Sequence, residues 1–585
     1  MPRHSQEMRR IAPEVDPLRL GCGWSRGDLG KPLVVIESSA GDSHPGSVHL
    51  DELCGAARDG VLAAGGRPAR YTCTDACDGI SQGTDAMDLS LCIRELTALA
   101  TELHVRSAFA DGVLLVSGCD KAIPGHLVAA ARLRIPALHL PGGAMGRGAA
   151  DMSLDKMGDL MADLRRGRVS GEEYDYWLEE ACPGPGACQF LGTANTMQVM
   201  AEALGLALPG TALAPALSHY QRRRAIEAGE QITWLIEQGL TADRILTQEA
   251  IDNALTVHAA FAGSSNALLH LPAVAKQLGL DCTLDRFQQA NDRTPWIVNV
   301  RPSGKWDVNL VWYAGGVPRV MWELRDRLRL EALTVTGRTL GENLEALEQS
   351  GFFARQPRQL DNFGLGLRDV IASTEEPLAT RGGIAILKGN LAPEGAVIKE
   401  AAVRPEARRF SGPARVFDRQ EDAIEAIFAG RAKAGDAVVI RFEGPRGSGM
   451  PEQFYVTKTI SSDEELSRTM LLVTDGRFSG ASGGPAVCHV CPEAAAGGPI
   501  GAVRDGDWIE MDLDAKALNV VGEGERRFSP EEGARVLARR LADSPPQPPT
   551  KHDWPLLRLY TALATSATEG ACMELPTDQD GRRDG

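Results

Sequence analysis

Residues 112–143 read GVLLVSGCDKAIPGHLVAAARLRIPALHLPGG. The apolar run Val113–Val116 gives way to a short loop, and the spacing then predicts a helix from about Pro124 to Leu133 and a strand at Pro136–Leu140. Strand, loop, helix and strand of these lengths make one βαβ unit, in which the two strands lie parallel. Ligands in open α/β sheets bind beyond the carboxyl ends of the strands, where Cys119, Asp120 and Lys121 fall. A thiol, a carboxylate and a titratable amine there place a soft ligand beside a hard one. The same residues read equally as an aspartate capping the next helix beside a buried cysteine.

Working outward, the alternation continues toward the N-terminus. It predicts a strand at Pro32–Ile36, a helix from about Leu50 to Ala64, a strand at Ala69–Thr74 and a helix from Leu89 to His104. Elements that take turns in this way imply an α/β fold with a doubly wound parallel sheet. Helical patterns then dominate from Ser153 to Leu347 as elaborations, punctuated by glycine-rich stretches at 183–192, 262–266 and 315–317. Near Thr380 the texture changes to short β-rich runs such as DAVVIRFEG and RTMLLVTDG. The expected organisation is an N-terminal arm over 1–30, an α/β domain over 31–380 and a smaller, barrel-like β-rich domain over 381–545. The stretch SPPQPPTKHDWP at 544–555 reads as a linker, and 546–585 is the expected unit of linker, final helix and frayed tail.

A chain of 585 residues exceeds what one core organises. A net charge of −16 disfavours nucleic acid and membrane surfaces as partners, since both are polyanionic. The N-terminus carries no apolar signal region and no stretch is long enough to span a bilayer, so a cytoplasmic protein is expected. Twelve cysteines in such a chain point to thiols or metal ligands rather than to a disulfide framework.

Two further segments bear chemistry. ACPGPGACQFLGTANTM presents Cys188 in a glycine-rich loop before a helix that starts near Thr193, and TCTDACDGISQG sets Cys77 beside Asp78 between a strand and a helix. Thiolates from separate loops can hold an iron–sulfur cluster, and neighbouring carboxylates suit a hard cation such as magnesium. Cys488 and Cys491 form a CxxC without a second pair of matching spacing, so they read as structural thiols. His258 and His270 read as packed helix residues. The absence of a P-loop or of GxGxxG after a strand disfavours nucleotide cofactors.

Taken in order, the motifs resemble the dihydroxyacid and sugar-acid dehydratase family, which includes phosphogluconate and xylonate dehydratases. They are CDG at 77–79, GCDK at 118–121, GACQFLGTANTM at 186–197, AGSSNALLH at 262–270, AGGVP at 314–318, KGNLAPEGAVIK at 388–399, GPARVF at 412–417, GPRGSGMPE at 444–452, TDGRFSGASGG at 474–484 and HVCPEAAAGGPI at 489–500. The resemblance implies removal of water from a 2,3-dihydroxycarboxylate by an iron–sulfur and Mg2+-dependent hydro-lyase. It implies Asp78, Asp120, Glu452 and a carbamylated Lys121 as magnesium ligands, and Ser479 as the base, with Ser482 as the alternative. Cys119 and Cys188 match cluster ligands. Many members take a third from a Pro-Cys pair, but DSHPGSVHL carries Gly46 there, so Cys77 is proposed instead and the cluster is left as [2Fe–2S] or [4Fe–4S].

Ser264, Ser265, Asn266 and Ser482 are candidate substrate contacts. The wording of CDGISQG, GACQFLGTANTMQ and VHAAFAGSSNALLHLPAVA leans toward sugar acids, with xylonate first and a hexonate such as gluconate next. The second reading is a branched-chain dihydroxy acid. A reading of another class is an iron–sulfur redox protein without turnover, which has no need of the hard ligands Asp78, Asp120 and Glu452. The resemblance also implies a homodimer or homotetramer.

Overall fold

The computed structural model describes residues 3–480, 484–545, 547–549 and 551–575. Ser482, the alternative base, and most of the expected tail lie outside the described residues. A four-stranded sheet occupies the first part of the chain: β1 Leu33–Ser38, β2 Arg67–Thr72, β3 Gly112–Ser117 and β4 Ala137–Pro141, in the order β2-β1-β3-β4 and parallel throughout. β1, β3 and β4 are completely buried, as their near-continuous apolar sequences require. β2, with two arginines and Pro68, is the half-exposed edge that such residues suit.

Helices Leu50–Ala63 and His219–Gln238 pack on each other and on the sheet, and helices Ser90–Ala108 and Ala122–Leu133 form a second pair against it. The predicted strand and helix limits therefore hold to within a few residues.

The later part of the chain builds a nine-stranded mixed sheet from β5 Ala385–Leu387, β6 Gly395–Ile398, β7 Arg409–Phe417, β8 Ala437–Ile440, β9 Leu471–Thr474, β10 Ala486–Cys491, β11 Asp507–Asp512, β12 Ala517–Glu523 and β13 Arg526–Arg527. Its order is β13-β12-β11-β7-β8-β9-β10-β6-β5. The sheet curls until Lys388, just past β5, pairs with Ala517 of β12, which gives the barrel-like form expected. Because side chains alternate across a strand, Val439, Leu471 and Val473 fill the inside of the curl. Val438, Ile440 and Leu472 point the other way, into the large core shared with the N-terminal part. The second sheet is thus fixed against the first, and the loops of both meet at one cavity.

No helix among the described residues is long and apolar enough to cross a membrane. Cys488 and Cys491 are buried on β10, with the Cys488 thiol directed at the Val397 carbonyl, consistent with structural thiols. His258 and His270 are fully buried; His258 Nε2 bonds the Ser264 carbonyl and His270 Nδ1 bonds Arg94.

Candidate active site

A cavity of about 230 Å³ is lined by Asp78, Asp120, Cys188, Thr193, Glu452 and Ser479, among others. These residues arrive from loops that close approaches of glycines bring together. A Cβ on Gly118 would stand 2.5 Å from the Gly46 carbonyl, so only glycine lets the loop after β1 lie against the loop after β3. A Cβ on Gly480 would meet Gly192 Cα at 2.7 Å, and this contact sets Ser479 beside Thr193 across the two halves of the chain.

On one side of the cavity stands a buried charged network. Lys121, completely buried, donates to Asp78 Oδ2 at 2.6 Å. Arg477, also completely buried, donates to Glu452 Oε1 at 2.5 Å and to Asp78 Oδ2 at 3.2 Å, and holds Ser90 and the Met450 carbonyl as well. Asn266 Nδ2 reaches Glu452 Oε1 at 2.6 Å, and Gln82 Nε2 reaches Oε2 at 2.9 Å. Burial pushes the Asp78 carboxyl up, but Lys121 and Arg477 outweigh it and hold the group at about 2. Asp120 is pushed up to about 6, by burial and then by Asp78.

Asp120 does cap a helix, but not the one that follows it. Its Oδ1 accepts the Ala194 N–H at 2.9 Å, at the start of helix Thr193–Ala203. The aspartate therefore ties the GCDK loop to the GTANTM segment.

Next to this network lie the thiols, with Cys119 Sγ 3.8 Å from Asp120 Oδ2. The ligand atoms of His44, Cys77 and Cys119 lie within 4.8 Å of one another. Cys188 is outside that set yet close enough that Cys77 adds to burial in raising its pKa. Cys182 lines the same cavity.

Adjacent sets of soft donors and hard oxygens fit two groups of different hardness, an iron–sulfur group and a divalent cation. Three carboxylates facing one arginine and Lys121 suit a divalent cation once the lysine bears an anionic carbamate. As an ammonium it can only donate.

Of the candidate substrate contacts within the described residues, Asn266 joins the Glu452 network, and Ser265 lines a small neighbouring cavity with Ser479 and Lys399. Ser264 instead braces the turn, bonding Thr193 and accepting the Asn266 N–H. Lys399, a further residue the sequence reading did not single out, directs Nζ to the Gly480 carbonyl at 3.3 Å, and burial lowers its pKa to about 8.

Residues 31–343 match the dihydroxy-acid/6-phosphogluconate dehydratase N-terminal family, and residues 369–571 match the C-terminal family of the same name. The chain belongs to the dihydroxy-acid/6-phosphogluconate dehydratase family. This dehydratase is 40% identical over 561 residues to the dihydroxy-acid dehydratase of Caldanaerobacter subterraneus subsp. tengcongensis, covering 95% of this chain and 96% of the relative. It is 41% identical over 561 residues to that of Nitratidesulfovibrio vulgaris, covering 94% and 96%, and 40% identical over 572 residues to that of Methanosarcina barkeri, covering 96% and 98%. The hydro-lyase reading stands on this kinship. The names of these relatives favour the second substrate reading, the branched-chain dihydroxy acid, over the sugar acid placed first.

Proposed function

We propose that this dehydratase acts on a 2,3-dihydroxycarboxylate with an alkyl end, of the branched-chain type, and releases the 2-keto acid. The observation that carries this reading is the apolar wall of the cavity, supplied by Leu154, Met157, Met161, Leu178, Phe190 and Phe454. Burying a methyl or methylene there is favourable by about 0.8 kcal/mol. A sugar-acid hydroxyl without a partner in the same place costs roughly 1–3 kcal/mol.

In this proposal Asp78, Asp120, Glu452 and carbamylated Lys121 hold a magnesium ion, and Cys119, Cys188 and Cys77 hold the cluster. When bound, these groups supply charge stabilisation at the substrate carboxylate and 2-hydroxyl and Lewis acidity at the 3-hydroxyl. Ser479 removes the C2 proton, and its hydroxyl needs neighbouring positive charge to do so. Lys399 lines a small cavity together with Ser479, its Nζ near the Gly480 carbonyl. Arg477 and Asn266 orient Glu452, and the apolar wall keeps water from the developing enol. The redox-protein reading loses ground to the hard ligand set and to family membership.

The deciding experiment is an anaerobic assay of the iron-, sulfide- and magnesium-loaded chain against 2,3-dihydroxyisovalerate, xylonate and gluconate. Preference for the dihydroxy acid is expected. Turnover of the aldonates alone would overturn the proposal. Assembly into two or four copies belongs to the same reading and is tested by light scattering.

A further inference from the structure

We propose that Lys399 is a positioning residue for removal of the C2 proton: its ammonium clamps the Ser479–Gly480 turn and stabilises Ser479 as an alkoxide. The inference rests on the reading of Ser479 as the base, whose hydroxyl needs a neighbouring cation.

Three observations carry it. First, Ser479 lines two cavities. One is the active-site cavity, and the other is a small one of about 20 Å³ shared with Lys399, Ser265, Gly480 and Cys488. Lys399 Nζ donates to the carbonyl of Gly480, the residue after the serine, at 3.3 Å. Gly480 also lies so close to Gly192 that a Cβ would not fit between them. The peptide that follows Ser479 is thus held by two contacts.

Second, the other cations of the site are committed. Arg477, two residues before the serine, uses Nε on the Met450 carbonyl, Nη1 on Asn266 and Glu452, and Nη2 on Asp78 and Ser90. That accounts for every donor a guanidinium has. Lys121 donates to Asp78. No carboxylate pairs with Lys399 among the described residues, and burial alone lowers its pKa, to about 8, which leaves it a cation at neutral pH.

Third, the surrounding charges make that cation necessary. Asp78, Asp120 and Glu452 line the cavity onto which Ser479 opens, and negative charge there raises the proton affinity of the serine. The titratable groups near Lys399 are neutral instead. Burial pushes Cys488 up to about 12, and burial, with the charge of Lys399 adding to it, lowers His258 to about 4. Glu400, next in sequence, is bonded to Arg408. Nothing among the described lining residues of the small cavity cancels the ammonium, and opposite charges attract more strongly where water is scarce.

The proton and electron pairs balance on these groups. Ser479 enters as the alkoxide, its own proton having passed to solvent. The C2–H bond breaks, the proton goes to Oγ, and the electron pair left at C2 forms the enol double bond as the C3–O bond breaks. The proton on Oγ then joins the departing hydroxide as water, which restores the alkoxide. Lys399 keeps its protons throughout and acts through the serine.

The test compares wild type, K399M, K399Q and S479A as full chains loaded with iron, sulfide and magnesium. Each is assayed on whichever of 2,3-dihydroxyisovalerate, xylonate and gluconate the wild type turns over, with protium or deuterium at C2. K399Q is neutral yet can still donate to the Gly480 carbonyl, which separates the charge from the hydrogen bond. In both Lys399 variants kcat is expected to fall by about a hundredfold with KM unchanged to within about twofold. The C2 isotope effect on kcat is expected to rise as proton removal becomes the slow step. Should K399M fail to fold, K399Q carries the test. With S479A slow, a K399Q that keeps the wild-type kcat, or a loss carried by KM with no rise in the isotope effect, overturns the role of Lys399 and leaves the base reading intact. An S479A that keeps the wild-type kcat overturns that reading, and the role of Lys399 with it.

Discussion

Lys121 Nζ lies 2.6 Å from Asp78 Oδ2, and both side chains are shut off from solvent. Removing one partner of such a pair strands a buried charge, at a cost of about 3–5 kcal/mol. K121M is therefore expected to melt several degrees below the wild type. K121R keeps the charge but cannot become a carbamate. With 13C-bicarbonate, the wild type should show a carbamate resonance that K121R lacks, and magnesium affinity in K121R should fall at least about tenfold. Equal magnesium titrations of the two proteins would refute the ligand role.

Arg477 is the only cation bonded to both Asp78 and Glu452 among the described residues. R477M leaves Glu452 without its cation, and a loss of about 3–5 kcal/mol is expected. R477K should be intermediate, because one ammonium cannot span both carboxylates. Asp78 adds a pH signature. Its folded pKa, about 2, lies below the ordinary value, so its stabilisation is present above about pH 3.9 and is lost as the pH falls toward 2. R477M weakens that depression, so the acid-unfolding midpoint followed by circular dichroism should move to higher pH.

Met161 belongs to the apolar wall. Exchanging an apolar contact for a polar one alters discrimination by about 1–3 kcal/mol. M161Q is expected to lower kcat/KM for 2,3-dihydroxyisovalerate relative to xylonate by roughly tenfold or more. An unchanged ratio would remove Met161 from the substrate contacts.

The βαβ units were legible because each strand is a buried apolar run and each helix has its own period. The GCDK and CDG segments were legible because a thiol beside a carboxylate in a βα loop is unusual, and the Cys188 segment because it presents a thiol in a glycine-rich loop before a helix. The role of Arg477 was not, since its partners lie 25 residues away at Glu452 and 399 away at Asp78. Asp120 misled in detail, because it caps a helix 74 residues further on rather than its own. The apolar wall was illegible for a different reason. Leu154, Met157, Met161 and Leu178 carry an ordinary helical period, and only the packing of those helices over the cavity turns that face toward a substrate.

Glu493 and Asp475 give the pH dependence at the other end of the scale. Burial and then Asp475 push Glu493 up to about 8, and burial pushes Asp475 up to about 6 against three backbone N–H donors, those of Phe442, Glu443 and Ala494. Both values exceed the ordinary values of about 4.3 and 3.9, so each group binds its proton more tightly folded than unfolded. Their contribution is complete below about pH 4 and is lost as the pH rises through 6 and then 8. E493Q cannot ionise and should keep its Oε1 bond to the Arg446 N–H, which Glu493 accepts at 2.9 Å. In thermal melts from pH 5 to 9, the Tm of E493Q minus that of the wild type should therefore rise with pH. A difference that stays constant across the series would show that Glu493 is already ionised in the folded chain.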